Sequence, residues 1–199
     1  MKFRHKSILL ISSFIVCTAN AGLAQQTPAW EFFTGYSFQA SDVREYYKTT
    51  PIIYTFRQTR ANLNGWDASI TENRNRWFGG TLDLSGHYAT PQLLGISNRE
   101  RLHSILYGPR FSYRRPFGTA FAHMLFGAAL TKVSVAPTGP HASDFSFGFG
   151  AGVGLDIQFR SQAAFRVAQI DYLRANALGS AQNHLRLSVG VVLQTGAAK

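Results

Sequence analysis

Asp83, Ser85 and His87 carry the residue types of a nucleophilic triad and alternate along one short stretch, D-L-S-G-H. A serine hydroxyl becomes an effective nucleophile only when a base takes its proton and a third group orients that base. Alternate residues of an extended chain stand about 6.6 Å apart, beyond the roughly 2.6–3.2 Å that nucleophile and base require. Hydrogen bonding inside a folded interior is therefore the expected role of this trio. Metal chemistry has no better support, because His5, His87, His103, His123, His141 and His184 show no ligand spacing. Cys17 is the only cysteine, so no disulfide framework or cysteine metal site is available. These patterns point to no catalytic residue, no cofactor and no metal.

The elements that position such side chains are strands. Phe145 to Phe159 reads F-S-F-G-F-G-A-G-V-G-L-D-I-Q-F, with eight apolar residues on odd positions and Ser146, four glycines, Asp156 and Gln158 on even ones. A period of two fits a strand and not a helix. The run is far longer than a mean strand of roughly 5–6 residues and carries aromatic rings at both ends, which suggests a strand crossing a bilayer.

Seven further stretches alternate. They are Trp30 to Phe38, Leu63 to Thr71, Arg76 to Tyr88, Leu102 to Arg114, Thr119 to Val133, Ala163 to Arg174 and Asn183 to Gln194. Phe33 is the one misfit of the first. Pro109 removes a ladder donor and implies a bulge or bend in the fourth. In Ala163 to Arg174, one phase points Phe165 and Val167 outward but exposes Gln169 and Asp171, whereas a register change midway sends Ile170 and Tyr172 outward; both alternatives stand. Ser97-Asn98-Arg99-Glu100 matches a helix capping box, but Gly108-Pro109 would cut that helix short and the stretch after it alternates.

The connections run long, short, long, short, long, short, long. The long ones are Gln39 to Asn62, in which strand extensions around Ile52 to Phe56 are an alternative, Ala89 to Glu100, a loop centred on Thr138-Gly139-Pro140, and the stretch before Asn183. The short ones are Glu72 to Asn75, Arg115 to Gly118, and Arg160 to Gln162. Backbone groups in hydrocarbon must be paired within the protein, so spanning strands have to close into a barrel. The expected fold is all-β, an eight-stranded antiparallel up-and-down transmembrane β-barrel, with both termini on the periplasmic side. At eight strands the interior is just wide enough for side chains to fill.

That interior should hold acids and bases as a hydrogen-bonded lumen network of Glu31, Asp67, Asp83, Arg110, Asp156 and Arg186. Gly148, Gly150, Gly152 and Gly154 would leave space for Trp77, Arg110 and His123 reaching across. Trp30, Phe32, Phe78, Tyr113, Phe117, Phe159 and Phe165 form one expected aromatic girdle, and Phe38, Trp66, Tyr88 and Phe145 the other.

The N-terminus reads as a secretory signal. Lys2, Arg4 and Lys6 precede an apolar run from Ser7 to Cys17, and small residues allow cleavage after Ala21 or Ala24. The expected organisation is a cleaved signal peptide over 1–24 and one barrel domain over 25–199. The chain has 20 Lys and Arg against 10 Asp and Glu. Losing the signal leaves 17 basic residues, a balance of about +7. There is no Lys/Arg run or recognition helix for nucleic acid, so anionic lipid or glycolipid headgroups are the expected acidic partners.

Asn64-Gly65-Trp66-Asp67-Ala68-Ser69, Asp83-Leu84-Ser85-Gly86-His87-Tyr88, Tyr107-Gly108-Pro109-Arg110-Phe111 and Leu185-Arg186-Leu187-Ser188-Val189-Gly190 carry a resemblance. The chain resembles the small bacterial outer-membrane β-barrel family, eight-stranded barrels similar to the transmembrane domain of outer membrane protein A. The resemblance covers Trp30 to Gln194. It implies a bacterial outer-membrane location, contact with outer-membrane lipid and lipopolysaccharide, and insertion by the barrel-assembly machinery. The family's last strand usually ends on an aromatic residue, whereas Thr195-Gly196-Ala197-Ala198-Lys199 follows Leu193 here. Some eight-stranded barrels are lipid A deacylases with a His-x-Ser pair near the outer rim; His141-Ala142-Ser143 has that spacing but falls in a Pro/Gly loop without an identifiable acid. The expected role is structural and not enzymatic. A surface-loop adhesin, receptor or small porin is the alternative, with Tyr46, Tyr47, Arg57 and Arg60 as loop contacts, and no protein partner is identifiable.

Overall fold

A computed structural model describes residues 27–48, 54–90, 92–93, 96–135, 141–177 and 180–198. The signal segment, Pro51 and the Thr138-Gly139-Pro140 loop centre lie outside the described residues. Every described element is a strand: β1 (Trp30–Lys48), β2 (Tyr54–Asn73), β3 (Phe78–Ala89), β4 (Gln92–Leu93), β5 (Ile96–Arg115), β6 (Gly118–Val135), β7 (His141–Arg160), β8 (Ala163–Ala177) and β9 (Ser180–Thr195). Each long strand pairs antiparallel with its sequence neighbour, and β1 pairs with β9 to close the ring. The two-residue β4 only extends the edge of β5, so eight strands form the barrel.

Alternation sets the two faces. On β7 the odd residues from Phe145 to Phe159 face outward, while Gly148, Gly150 and Asp156 are buried inside. The exterior is an apolar band rich in rings, including Trp30, Phe32, Trp66, Tyr107, Phe126 and Phe165. Phe33, the misfit of the first strand, turns inward and is buried with Ala164 and Val192.

Several strands outrun their sequence patterns. Gln39 to Asn62, expected as a loop with strand extensions around Ile52 to Phe56 as the alternative, continues as paired strand up to Lys48 opposite Tyr54, well beyond that alternative. Polar residues hide such an extension because a hairpin outside any apolar layer needs no hydrophobic face. Ile96 to Glu100 likewise belongs to β5, and the capping-box residues are strand. His141 and Ser143, expected in a loop, begin β7. Pro109 produces no bulge: the β5–β6 ladder lapses over Gly108 and Pro109 and resumes in the same register at Arg110 opposite His123.

The ambiguous strand does change register. The β8–β9 pairing shifts between Arg166 and Gln169, so the chain inserts an extra residue around Val167-Ala168. Phe165, Val167, Ile170 and Tyr172 all reach the exterior, and Arg166, Gln169 and Asp171 all turn inward. A bulge that re-aims side chains in this way is a common device at functional sites.

Trp77 departs from expectation. The third strand starts at Phe78, two residues later than expected, and Trp77 is 58% exposed on the outside, stacked on Phe111 with ring centroids 6.1 Å apart. The turn before it decides this. The Asn75 side chain accepts the Trp77 and Phe78 backbone N–H groups at 3.0 and 2.9 Å, so Trp77 belongs to the turn, although its carbonyl still accepts the Ser112 N–H at 2.8 Å.

Candidate functional site

The barrel interior is built from inward positions of all eight long strands. Glu31, Asp67, Asp83, Arg110, Asp156 and Arg186 are each no more than 2% exposed. They come together in two groups that a glutamine joins.

Nearer the turns, Arg110 Nη2 lies 3.1 Å from Glu31 and 3.3 Å from Asp156. Arg114 reaches the same Glu31 at 2.7 Å, and Asn73 donates to it at 3.0 Å. Arg166 grips Asp156 with two nitrogens, at 2.8 and 3.1 Å. Its guanidinium also lies over the Phe33 ring at 4.1 Å and that of Arg110 over Phe121 at 3.8 Å. A flat, weakly hydrated guanidinium suits such faces, which explains arginine here in place of lysine.

Towards the middle, Arg186 donates to both oxygens of Asp83 at 2.9 Å and to Asp171 at 2.8 Å, with Asp67 at 3.8 Å. His123 Nε2 shares a 2.7 Å hydrogen bond with Asp171. Gln169 links the groups: it accepts from Arg166 at 2.7 Å and donates to Asp171 at 2.8 Å. Paired and hydrogen-bonded charges of this kind offset the cost of leaving water, which an isolated ion would bear in full.

Apolar clusters interleave with the charges. Phe33, Ala164 and Val192 lie towards the turns, with Glu31 and its Arg114 partner beyond them, and Leu106, Leu125 and Leu173 close the other side. Beyond the leucines a cavity of about 20 Å³, lined by Gln39, Leu102 and His184 among others, has room for about one water.

The glycine wall of β7 is filled, but by other residues than expected. A Cβ on Gly148 would meet Leu106, on Gly150 Leu173, on Gly152 Asp171 and His123, and on Gly154 Phe121. His123 therefore reaches the wall; Arg110 stacks on Phe121 instead of touching the glycines, and Trp77 is outside altogether.

Gln169 and Asp171 are the members that alternation alone misses, while Arg166, between outward Phe165 and Val167, precedes the break. Their signal was present in the clash of phases between Phe165-Val167 and Ile170-Tyr172, which only a bulge reconciles. The Asp83, Ser85 and His87 side chains bond to Arg186, Ser104 and Ser37 and not to one another. His141 and Ser143 stand exposed on the exterior of β7. Among the described residues no group of three or more His, Cys, Asp or Glu could hold a metal ion.

This architecture has solved counterparts. Neisserial surface protein A aligns at a TM-score of 0.59 with 13% identity, over 83% of this chain and 97% of that one. The chain folds as a small eight-stranded outer-membrane β-barrel. Ail, the attachment invasion locus protein of Yersinia pestis, matches at a TM-score of 0.55 with 14% identity, over 84% of this chain and 100% of that one. The outer membrane protein OprG from Pseudomonas aeruginosa matches at 0.50 with 12% identity, over 87% and 99%. Identities this low establish the shared fold alone. No protein-family model and no curated protein sequence matches the chain.

Proposed function

We propose that the protein is an integral barrel of the bacterial outer membrane with a structural role in the envelope, its lumen plugged by side chains and both termini periplasmic. One observation carries this reading: a continuous network of ion pairs and hydrogen bonds from all eight strands, with Arg110, Arg166 and Arg186 at 0–3% exposure, lies beneath an apolar exterior. A soluble barrel of this size would place its apolar residues inside and its charges outside. Here the pattern is inverted, as lipid demands. Short turns on the side of the termini and longer strands on the other support a periplasmic position for the termini. Lipid and lipopolysaccharide surround the barrel in this reading, and the barrel-assembly machinery inserts it.

Heat-modifiable gel mobility tests the membrane reading. Refolded into lipid vesicles, the protein should migrate as a compact species that boiling converts to a slower one; a chain that folds only without lipid contradicts it.

A second reading is favoured by the far ends of β1 and β2. These strands run 19 and 20 residues, whereas about 9–11 suffice to span a bilayer. The projecting side also carries the outward residues Arg60, Arg99, Arg101, Lys132 and Arg174. Ail, which shares the fold, has been crystallised with the heparin analogue sucrose octasulfate. On this reading the projecting end recognises a sulfated or phosphorylated saccharide. Salt-sensitive retention on a sulfated-saccharide resin supports it, and passage through that resin at low salt counts against it.

A further inference from the structure

Across the outer face of β5, β6 and β7, near the turns, the apolar surface is not smooth. Ala120 and Ala122 on β6 are flanked by their cross-strand neighbours: Tyr113 and Phe111 on β5, Leu155 and Val153 on β7. Small residues between two large rows make a trough. Trp77 adds to the β5 wall by stacking on Phe111, and Ile170 lies beyond Val153. The result is a groove of about 590 Å³, within the roughly 300–1,000 Å³ typical of ligand clefts. Met124, the next outward residue of β6, limits it towards the middle of the barrel.

The other end of the groove meets positive charge. Arg115 stacks its guanidinium 4.8 Å above the Tyr113 ring and donates to the Tyr113 hydroxyl. Arg76, next to Trp77, donates to the Arg114 carbonyl at 3.3 Å. Both are exposed, and each is tied to a residue of the wall or its neighbour. The internal acids, by contrast, are already engaged: Glu31 pairs with Arg110 and Arg114 inside the lumen.

We infer that this groove binds one anionic glycerophospholipid of the leaflet nearer the turns, an acyl chain lying over Ala120 and Ala122 and the phosphate held by Arg76 and Arg115. The inference rests on the membrane reading above. A trough one alanine wide accepts a flexible hydrocarbon chain, and guanidinium groups at the interface attract anionic headgroups. Charge complementarity at the mouth selects a lipid over a second copy of the barrel, whose own turns would bring the same arginines.

Native mass spectrometry of the purified barrel, offered phosphatidylglycerol or phosphatidylcholine with identical acyl chains, tests this. The wild type should retain one phosphatidylglycerol about tenfold or more in preference to phosphatidylcholine. Ala122→Trp, which fills the trough from outside, should remove both adducts, and the exposed double change Arg76→Gln with Arg115→Gln should abolish the preference while sparing the fold. Equal retention of the two lipids by the wild type overturns the inference, as does an Ala122→Trp barrel that keeps its adduct. Loss of a dimer on Ala122→Trp, in place of lipid loss, assigns the groove to a second copy and also overturns it. A heat-modifiable barrel without a lipid preference sinks this inference alone; failure to fold in vesicles sinks the membrane reading.

Discussion

Arg186 on β9 and Asp83 on β3 meet across the lumen as a two-pronged pair, each terminal nitrogen 2.9 Å from one carboxylate oxygen. The two strands are not neighbours in the sheet, since β2 and β1 lie between them, so the contact ties opposite walls. Arg186→Ala would leave Asp83, Asp171 and Asp67 buried around an absent cation. Removing one partner of a buried pair costs about 3–5 kcal/mol, because the remaining charge is uncompensated. Urea titration of the vesicle-folded protein should show a loss of that size, and Arg186→Lys should recover only part of it because a single ammonium cannot match the fork. A loss below about 1 kcal/mol, the usual value of an exposed pair, would contradict the buried network.

The facing of β7 gives a second prediction. Val153 looks outward and Ser146 inward near the projecting end. An arginine at mid-membrane on the lipid side costs about 2–4 kcal/mol, and little at a polar lumen rim. Val153→Arg should therefore impair folding into vesicles much more than Ser146→Arg, read as the fraction of heat-modifiable protein. Equal effects would refute the facing assignment.

Gly152 is one of the positions where close approach requires glycine, and the one that faces the charged network. A Cβ there would lie 1.8 Å from Asp171 Oδ1, 2.8 Å from His123 Nε2 and 2.8 Å from the Ile170 carbonyl. Gly152→Ala should destabilise the barrel by about 1–3 kcal/mol, the usual cost of overpacking. Gly80 is a control, because its Cβ would meet only the Tyr107 side chain, whose hydroxyl end can move. Matched denaturation curves for Gly152→Ala and the wild type would show that the His123–Asp171 pair does not pack against this glycine.

The alternating faces made the barrel legible from residues alone, because lipid outside and a filled interior inside impose opposite demands on neighbouring side chains. Phe145 to Phe159 states both demands in one strand. The six acids and bases named from that pattern stand in the lumen for the same reason. What alternation could not supply was any place where the period breaks. The extra residue at Val167-Ala168 hid Gln169 and Asp171, and the Asn75 turn moved Trp77 from the inward row to the exterior. The projecting hairpin of β1 and β2 was hidden too, since its polar strands bear no signal of lipid.

Conductance in planar bilayers tests the central claim most directly. Arg186, Arg110 and Arg166 with their acids, together with the Phe33 and Leu125 clusters, leave no continuous aqueous path in this account. The wild-type barrel should show no stable unit current at any moderate voltage, under conditions in which vesicle insertion is verified by gel mobility. Reproducible single-channel steps from the inserted wild type would contradict a plugged lumen and favour a small pore.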